Sequence, residues 1–260
     1  MALTHPAYGQ LRVVTPTASV LLANNPGKMT LDGTNTWILR AVGSDECVVV
    51  DPGPRNKAHI SQIAEVAGPV ALTLVTHRHF DHTAGLKRHI KLTGSPVRSA
   101  DPKFLHESDE PLRDGEVIEA AGLRITVLAT PGHTGDSVSF VLDDAVLTGD
   151  TILGRGTTVI DVRDGTLADY LDSMDRLVAA GEGKALLPAH GPEQADAAAV
   201  ARYYIAHRHE RLDQVRAALA EIGPDAKPMA VVRHVYADVD KSLWPAARQS
   251  VKAQLAYLRR

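Results

Sequence analysis

The segment Thr76-His77-Arg78-His79-Phe80-Asp81-His82 constrains this chain more than any other. Its three histidines and an aspartate follow residues 70–75, a short apolar run that reads as a buried strand. Imidazole and carboxylate at that density are costly in a core and contribute little to a plain turn. They are, however, the usual ligands of zinc and related ions. The fold must therefore contain a strand that opens onto a metal-binding loop, and other loops must bring the remaining ligands to it.

Three such loops exist. Thr130-Pro131-Gly132-His133 follows an apolar run at 123–128, Leu147-Thr148-Gly149-Asp150 ends another, and Pro188-Ala189-His190-Gly191 follows a third at 185–187. In each, a strand-like run stops and a ligand-type side chain follows within a few residues. Strand ends on one rim of a sheet are where separate loops converge, and flanking Gly and Pro hold such loops tightly. The candidate set is His77, His79, Asp81, His82, His133, Asp150 and His190. Seven ligands exceed the needs of one tetrahedral ion but suit two ions about 3.5–4 Å apart that share a carboxylate. Donors without thiolate suit Zn2+ first, with manganese or iron also compatible. His5, His59, His89, His106 and His234 show no partner pattern and are expected on the surface. His207 and His209 lie in a basic helical stretch, open to an anionic substrate rather than to a metal.

The rest of the chain alternates strands and helices in two successive halves. Residues 11–14, 19–23, 36–40 and 47–50 are β-rich, the last two joined as a hairpin across Gly43-Ser44-Asp45. Ile60, Ile63, Ala64 and Ala67 recur at helical spacing and stop at Gly68-Pro69. A helix is expected over 83–92, starting at the His-rich loop, and another over 167–179. Two sheets packed face to face with helices outside follow from this order. From about residue 196 the pattern is helical, in three stripes, with Pro245 in the first turn of the last. Domains are therefore expected at 1–195 and 196–260.

Apolar residues make up 44% of the chain, enough for a substantial core. The lone Cys47 excludes an internal disulfide and, within its apolar run, reads as a buried thiol. No apolar run approaches a membrane span, and residues 1–10 lack the order of an export signal, so a cytoplasmic location is expected. Residues 198–260 carry a net charge of +5 and the remainder −8. A basic segment on an acidic body points to an anionic substrate or partner.

His77-x-His79-x-Asp81-His82, followed in order by His133, Asp150 and His190, resembles the signature of the metallo-β-lactamase superfamily, over residues 11 to about 191. The resemblance implies an α/β fold, the αββα sandwich, with metals at the sheet edge. It assigns His77, His79 and His133 to one metal and Asp81, His82 and His190 to the other, with Asp150 bridging. Asp51, ending its strand as Asp-Pro-Gly, is similar to the structural aspartate of that superfamily. Gly33-Thr34-Asn35-Thr36-Trp37, the segment from Leu147 to Gly154, and His207-Arg208-x-x-Arg211 resemble the beta-lactamase-like protein 2 branch. That branch implies a small C-terminal helical, winged-helix-like module. It includes endoribonucleases acting on single-stranded RNA and thioesterases acting on carrier-bound acyl chains.

The chemistry expected is hydrolysis with a metal-bound hydroxide, since a dication lowers the pKa of bound water to about 7. A second cation would polarise the carbonyl or phosphoryl oxygen, and Asp81 or Asp150 would accept or orient the water proton. A β-lactamase is disfavoured, because enzymes of that kind commonly place a cysteine near the second metal and Cys47 is far from that order. With Arg202, Arg208, Arg211 and Arg216 in the basic segment, single-stranded RNA is the first expected substrate. The alternative is an acyl-carrier or glutathione-type thioester. A winged-helix nucleic-acid binder with an inert metal domain is the non-enzyme alternative.

Overall fold

A computed structural model of the chain describes residues 8–108 and 110–259; His5 lies outside them. One sheet contains, in spatial order, β1 (Arg12–Val13), β2 (Ala18–Leu22), β3 (Asn35–Leu39), β4 (Cys47–Val50), β5 (Val70–Leu74) and β6 (Val97–Arg98). The first four are antiparallel neighbours. β4, β5 and β6 run parallel, because helices carry the chain back between them. These helices are α1 (Lys57–Ala67), α2 (Phe80–Thr83) and α3 (Leu86–Thr93). The other sheet contains β7 (Val117–Ala120), β8 (Leu123–Ala129), β9 (Val138–Val141) and β10 (Ala145–Gly149) as an antiparallel meander. β11 (Ala185–Pro188) joins it parallel to β10 after α4 (Leu167–Gly181).

β4 shows how the layers follow from side-chain alternation. All four residues are buried because both faces are covered. Val48 and Val50 belong to the core between the sheets, with Trp37, Leu74, Phe140 and Leu147. Cys47 and Val49 belong to the outer cluster with Ile60 and Ile63 of α1. On the opposite side, Val146 and Leu186 pack against Tyr170 and Met174 of α4 and against Ala201 and Tyr204 of α5 (Ala197–Ile222). The result is the expected αββα sandwich.

The helix expected over 83–92 is broken in two. A Cβ on Gly85, between α2 and α3, would lie 2.5 Å from Ile60 Cδ1 and 2.9 Å from the Gly53 carbonyl oxygen. The Gly85 N–H donates to that carbonyl instead of extending a helix. Two histidines expected on the surface are in fact buried. His59, on the inward face of α1, has Nε2 2.8 Å from Thr36 Oγ1, and His89, on α3, has Nε2 2.9 Å from Thr73 Oγ1. Burial lowers each imidazole to about 4, so both are neutral.

The C-terminal part consists of α5, α6 (Pro228–Val235) and α7 (Trp244–Leu258), with Pro245 in the first turn as expected. Val215 and Ala218 of α5 meet Val231, Val232, Val251 and Leu255 in a small core of their own. Leu212 of α5 and Ala253 of α7 belong to the sandwich-side cluster, so α5 serves both. Among the described residues no helix is long and apolar enough to cross a membrane.

Candidate metal centre

The loops after β5, β8, β10 and β11 meet at one rim of the sandwich and bring all seven candidate ligands together. The β11 loop is tied across the sheets: the Asn35 N–H donates to the Ala189 carbonyl at 2.7 Å, and Asn35 Nδ2 donates to the Pro188 and Gly191 carbonyls at 2.9 and 2.8 Å. The His133 loop runs so close to α4 that a Cβ on Gly132 (φ 138°) would lie 2.4 Å from Tyr170 Cα.

The seven side chains form two sets. In the first, His79 Nδ1 lies 3.0 Å from His77 Nε2 and 3.1 Å from His133 Nε2, while Asp150 Oδ2 lies 3.9 and 3.6 Å from those two Nε2 atoms. In the second, His190 Nε2 lies 3.1 Å from Asp81 Oδ2 and 3.3 Å from Asp150 Oδ1, and His82 Nε2 lies 3.6 and 3.5 Å from the same two oxygens. Asp150 thus turns one oxygen to each set.

The outer nitrogen of each ring fixes its tautomer. His82 Nδ1 donates to Asp51 Oδ2 at 2.7 Å, His133 Nδ1 to the Val159 carbonyl at 2.6 Å, and His190 Nδ1 to the Gly33 carbonyl at 2.9 Å. Thr76 Oγ1 donates to Asp51 at 2.7 Å, which leaves it to accept from His77 Nδ1 at 3.1 Å. His79 Nε2 donates to Asp161 Oδ2 at 3.3 Å. In that tautomer each ring, when neutral, turns a lone pair inward, the arrangement by which outer hydrogen bonds prepare imidazole for a metal.

Five lone pairs and two carboxylates converge in this way. His82 Nε2, His190 Nε2 and Asp150 Oδ1 are buried without a hydrogen-bond partner. Acceptors so placed repel one another unless positive charge lies between them. A tetrahedral ion with bonds of about 2.0–2.1 Å spaces its donors by about 3.3 Å, close to what both sets show. The donor set therefore fits two divalent cations.

The electrostatics show a pocket that draws in positive charge, as protons on His82 and His190 or as a cation that would displace them. Burial opposes charge on His82, but Asp51, Asp81 and Asp150 outweigh it and push the imidazole up to about 9. Against the same burial, Asp150 and Asp81 hold His190 well above its ordinary value. Burial raises Asp150, yet His190 and His82 bring it well below the usual carboxylate range. Burial, reinforced by His82, keeps His77 well below its ordinary value. Asp51 anchors the motif from behind, accepting from the Thr76 N–H at 2.8 Å as well as from Thr76 Oγ1 and His82. Its φ of 51° is a left-handed conformation that costs about 1–3 kcal/mol and persists where the surroundings impose it.

Asp161 escaped the sequence reading. Its Oδ2 lies 3.3 Å from His79 Nε2 and 2.9 Å from Arg78 Nη2, and hydrogen bonds from Arg163 hold its carboxyl far below the usual range. It lies in an irregular segment between β10 and α4, without periodic signal; the flanking arginine is the one local cue. Asp161→Ala is expected to weaken binding at the first set by about 10–100-fold, as loss of such a partner does. Competition with a chromophoric chelator measures this, and an unchanged affinity would refute the role.

The arginines expected to meet an anionic substrate are engaged elsewhere. Arg202 pairs with Glu182 at 2.7 Å and Arg216 with Asp213 at 2.6 Å. Arg208 is buried, donating to the Thr158 carbonyl and lying over the Tyr170 ring, and Arg211 donates to Gln214. His207 stacks on Tyr203 outside the ligand cluster, and His209 is exposed. Beside His79 and His133 a cavity of about 590 Å³ opens instead. Met29, Val159 and Ile160 line one part of it, and Leu243, Pro245 and Ala246 of the C-terminal module line another.

Residues 29–190 match the family described as metallo-beta-lactamase superfamily, and residues 228–260 match the beta-lactamase associated winged helix domain. The chain is similar to a protein named beta-lactamase-like protein 2 homolog from Drosophila melanogaster, 30% identical over 93% of this chain and 88% of that one. It is also similar to an atrochrysone carboxyl ACP thioesterase from Aspergillus chevalieri, 34% identical over 83% of this chain and 70% of that one. Among solved structures, a beta-lactamase domain protein from Burkholderia ambifaria superposes with a TM-score of 0.82 at 22% identity, covering 99% of this chain and 90% of that one. At that identity the likeness concerns the fold.

Proposed function

Because this chain belongs to the metallo-beta-lactamase superfamily and is a metal-dependent hydrolase, we propose that its substrate is an acyl thioester. The observation that carries this reading is the apolar cavity beside His79 and His133, walled by both the sandwich and the C-terminal module. Its walls are mainly apolar, which suits an acyl chain, while Lys28 and Arg163 lie at its edge, where the anionic end of a carrier-bound substrate would pass. The similarity to a protein named as an ACP thioesterase supports the same choice. Single-stranded RNA, the first expectation from charge, draws less on these arginines, because Arg208 is buried, Arg211 bonds to Gln214, and Arg202 and Arg216 sit in surface ion pairs.

In this reading His77, His79, His133 and Asp150 would hold one divalent cation, and Asp81, His82 and His190 would hold the other. When bound, such ions supply Lewis acidity toward water and toward the substrate carbonyl. The chain's own residues do the remaining work. Met29, Ile160 and Leu243 exclude water from the acyl chain and set its carbonyl beside His79 and His133. Asp81, with 25% of its side chain exposed against 11% for Asp150, faces the open side and is placed to take a proton from the attacking water. The water oxygen bonds to the carbonyl carbon, the C–S bond breaks, and the sulfur leaves as a thiol with that proton. Cys47 is buried behind α1 and takes no part.

Thiol release from coenzyme A and N-acetylcysteamine thioesters, with acyl groups from acetyl to decanoyl, tests the reading. Turnover is expected to rise with acyl length and to stop when a chelator removes the metal. Cleavage of labelled single-stranded RNA without thiol release from any ester would overturn it.

A further inference from the structure

Phe80 is 83% exposed in the middle of the ligand motif. It lies between His79 and Asp81, the two most open ligands, each with a quarter of its side chain exposed. An aromatic ring left in water carries a large unrealised burial energy and is a frequent anchor for a partner. Phe80 borders a groove of about 480 Å³ whose floor is Leu86, Ile90 and Phe104 and whose rim is Arg55, Lys87 and Lys103.

Among the described residues no acidic side chain lines this groove. Arg55, Lys87 and Lys103 are all exposed, and their side chains make no ion pair or hydrogen bond among the described residues. Lys91, one turn beyond Lys87 on α3, extends the same charge. Elsewhere the chain pairs its arginines: Arg12 with Glu193, Arg78 with three aspartates, Arg98 with Glu116 and Arg176 with Asp114. Arg55, Lys87, Lys91 and Lys103 thus form one unpaired basic patch beside the ligand motif.

We infer that this groove docks an acidic carrier protein that presents the acyl thioester, with Phe80 as its anchor; the inference rests on the thioester reading above. An amphipathic acidic helix matches the groove on both counts. Its apolar stripe would cover Leu86, Ile90 and Phe104, and its carboxylates would meet Arg55, Lys87 and Lys103. The apolar floor of Leu86 and Ile90 gives the stripe of such a helix a surface to cover, as the core of a protein interface requires. A carrier seated there starts its thioester arm beside His79 and Asp81.

The test delivers one acyl group, octanoyl, in two ways: on an acidic bacterial acyl-carrier protein and on free pantetheine. The Lys87→Glu/Lys103→Glu double variant is expected to raise KM for octanoyl-carrier about tenfold and to flatten its salt dependence, with octanoyl-pantetheine turnover within about twofold of wild type. Wild-type KM for octanoyl-carrier in the double variant, with octanoyl-pantetheine still cleaved, would overturn the docking surface alone. A variant that loses only affinity for labelled single-stranded RNA would overturn it in favour of nucleic acid. If wild-type protein cleaves neither thioester, the thioester reading fails and the docking assignment falls with it.

Discussion

Asp150→Ala yields a folded protein that retains neither ion at stoichiometric occupancy and turns over its substrate about a thousandfold more slowly, or worse. Asp150 is the one side chain shared by both sets, with Oδ2 toward His77 and His133 and Oδ1 toward His82 and His190. Its removal takes a negative charge from between imidazoles on either side. The fold itself tolerates the change, because Oδ1 has no hydrogen-bond partner to lose. His79→Ala, by contrast, should deplete the first set and leave the second loaded. Elemental analysis of dialysed protein, beside a thermal melt, separates these outcomes. Two ions per chain and wild-type turnover in both variants would refute the assignment of the centre.

Asp51→Ala acts on both the fold and the metal. Asp51 is 1% exposed and accepts hydrogen bonds from the Thr76 N–H, Thr76 Oγ1 and His82 Nδ1. Alanine leaves three buried donors without an acceptor and must hold the left-handed φ of 51° with no side chain to stabilise it. Removing one partner from a buried charged network costs about 3–5 kcal/mol, which for a chain of this size is a fall of roughly 10 °C in Tm. His82 also loses the bond that aims Nε2 at the second set, so occupancy there drops as well. Asp51→Asn is no rescue, since its amide turns a donor toward groups that are donors themselves. A melt displaced by less than about 2 °C, with normal metal content, would show that the network is dispensable.

The ligand positions were legible because each follows a strand, and strands show themselves by apolar runs ending in Gly or Pro. The sandwich was legible for the same reason, from alternation such as that of β4. What the sequence hides is contact between distant, aperiodic segments. Asp161 reaches His79 from a loop 82 residues away, and Arg208 reaches the Thr158 carbonyl across 50 residues. Net charge likewise does not reveal which arginines are buried or paired: Arg208 lies inside, and Arg202 and Arg216 pair with carboxylates. His59 and His89 were misplaced because a histidine's burial depends on one hydroxyl partner, Thr36 or Thr73, on a separate strand. The helix break at Gly85 depends on the Gly53 carbonyl, which no local pattern reveals.

α5 has a mechanical consequence. Its 26 residues form a rod about 39 Å long at 1.5 Å per residue. One end is clamped to the sandwich through Ala201, Tyr204 and Leu212, and the other carries α6 and α7 on Val215 and Ala218. The C-terminal helices are thus carried on one beam, α5, and tied back to the sandwich a second time through Ala253 of α7. The gap between Met29 and Leu243 is set by the length and angle of that beam. Its width then changes through substitution at positions such as Leu243 or Ala246.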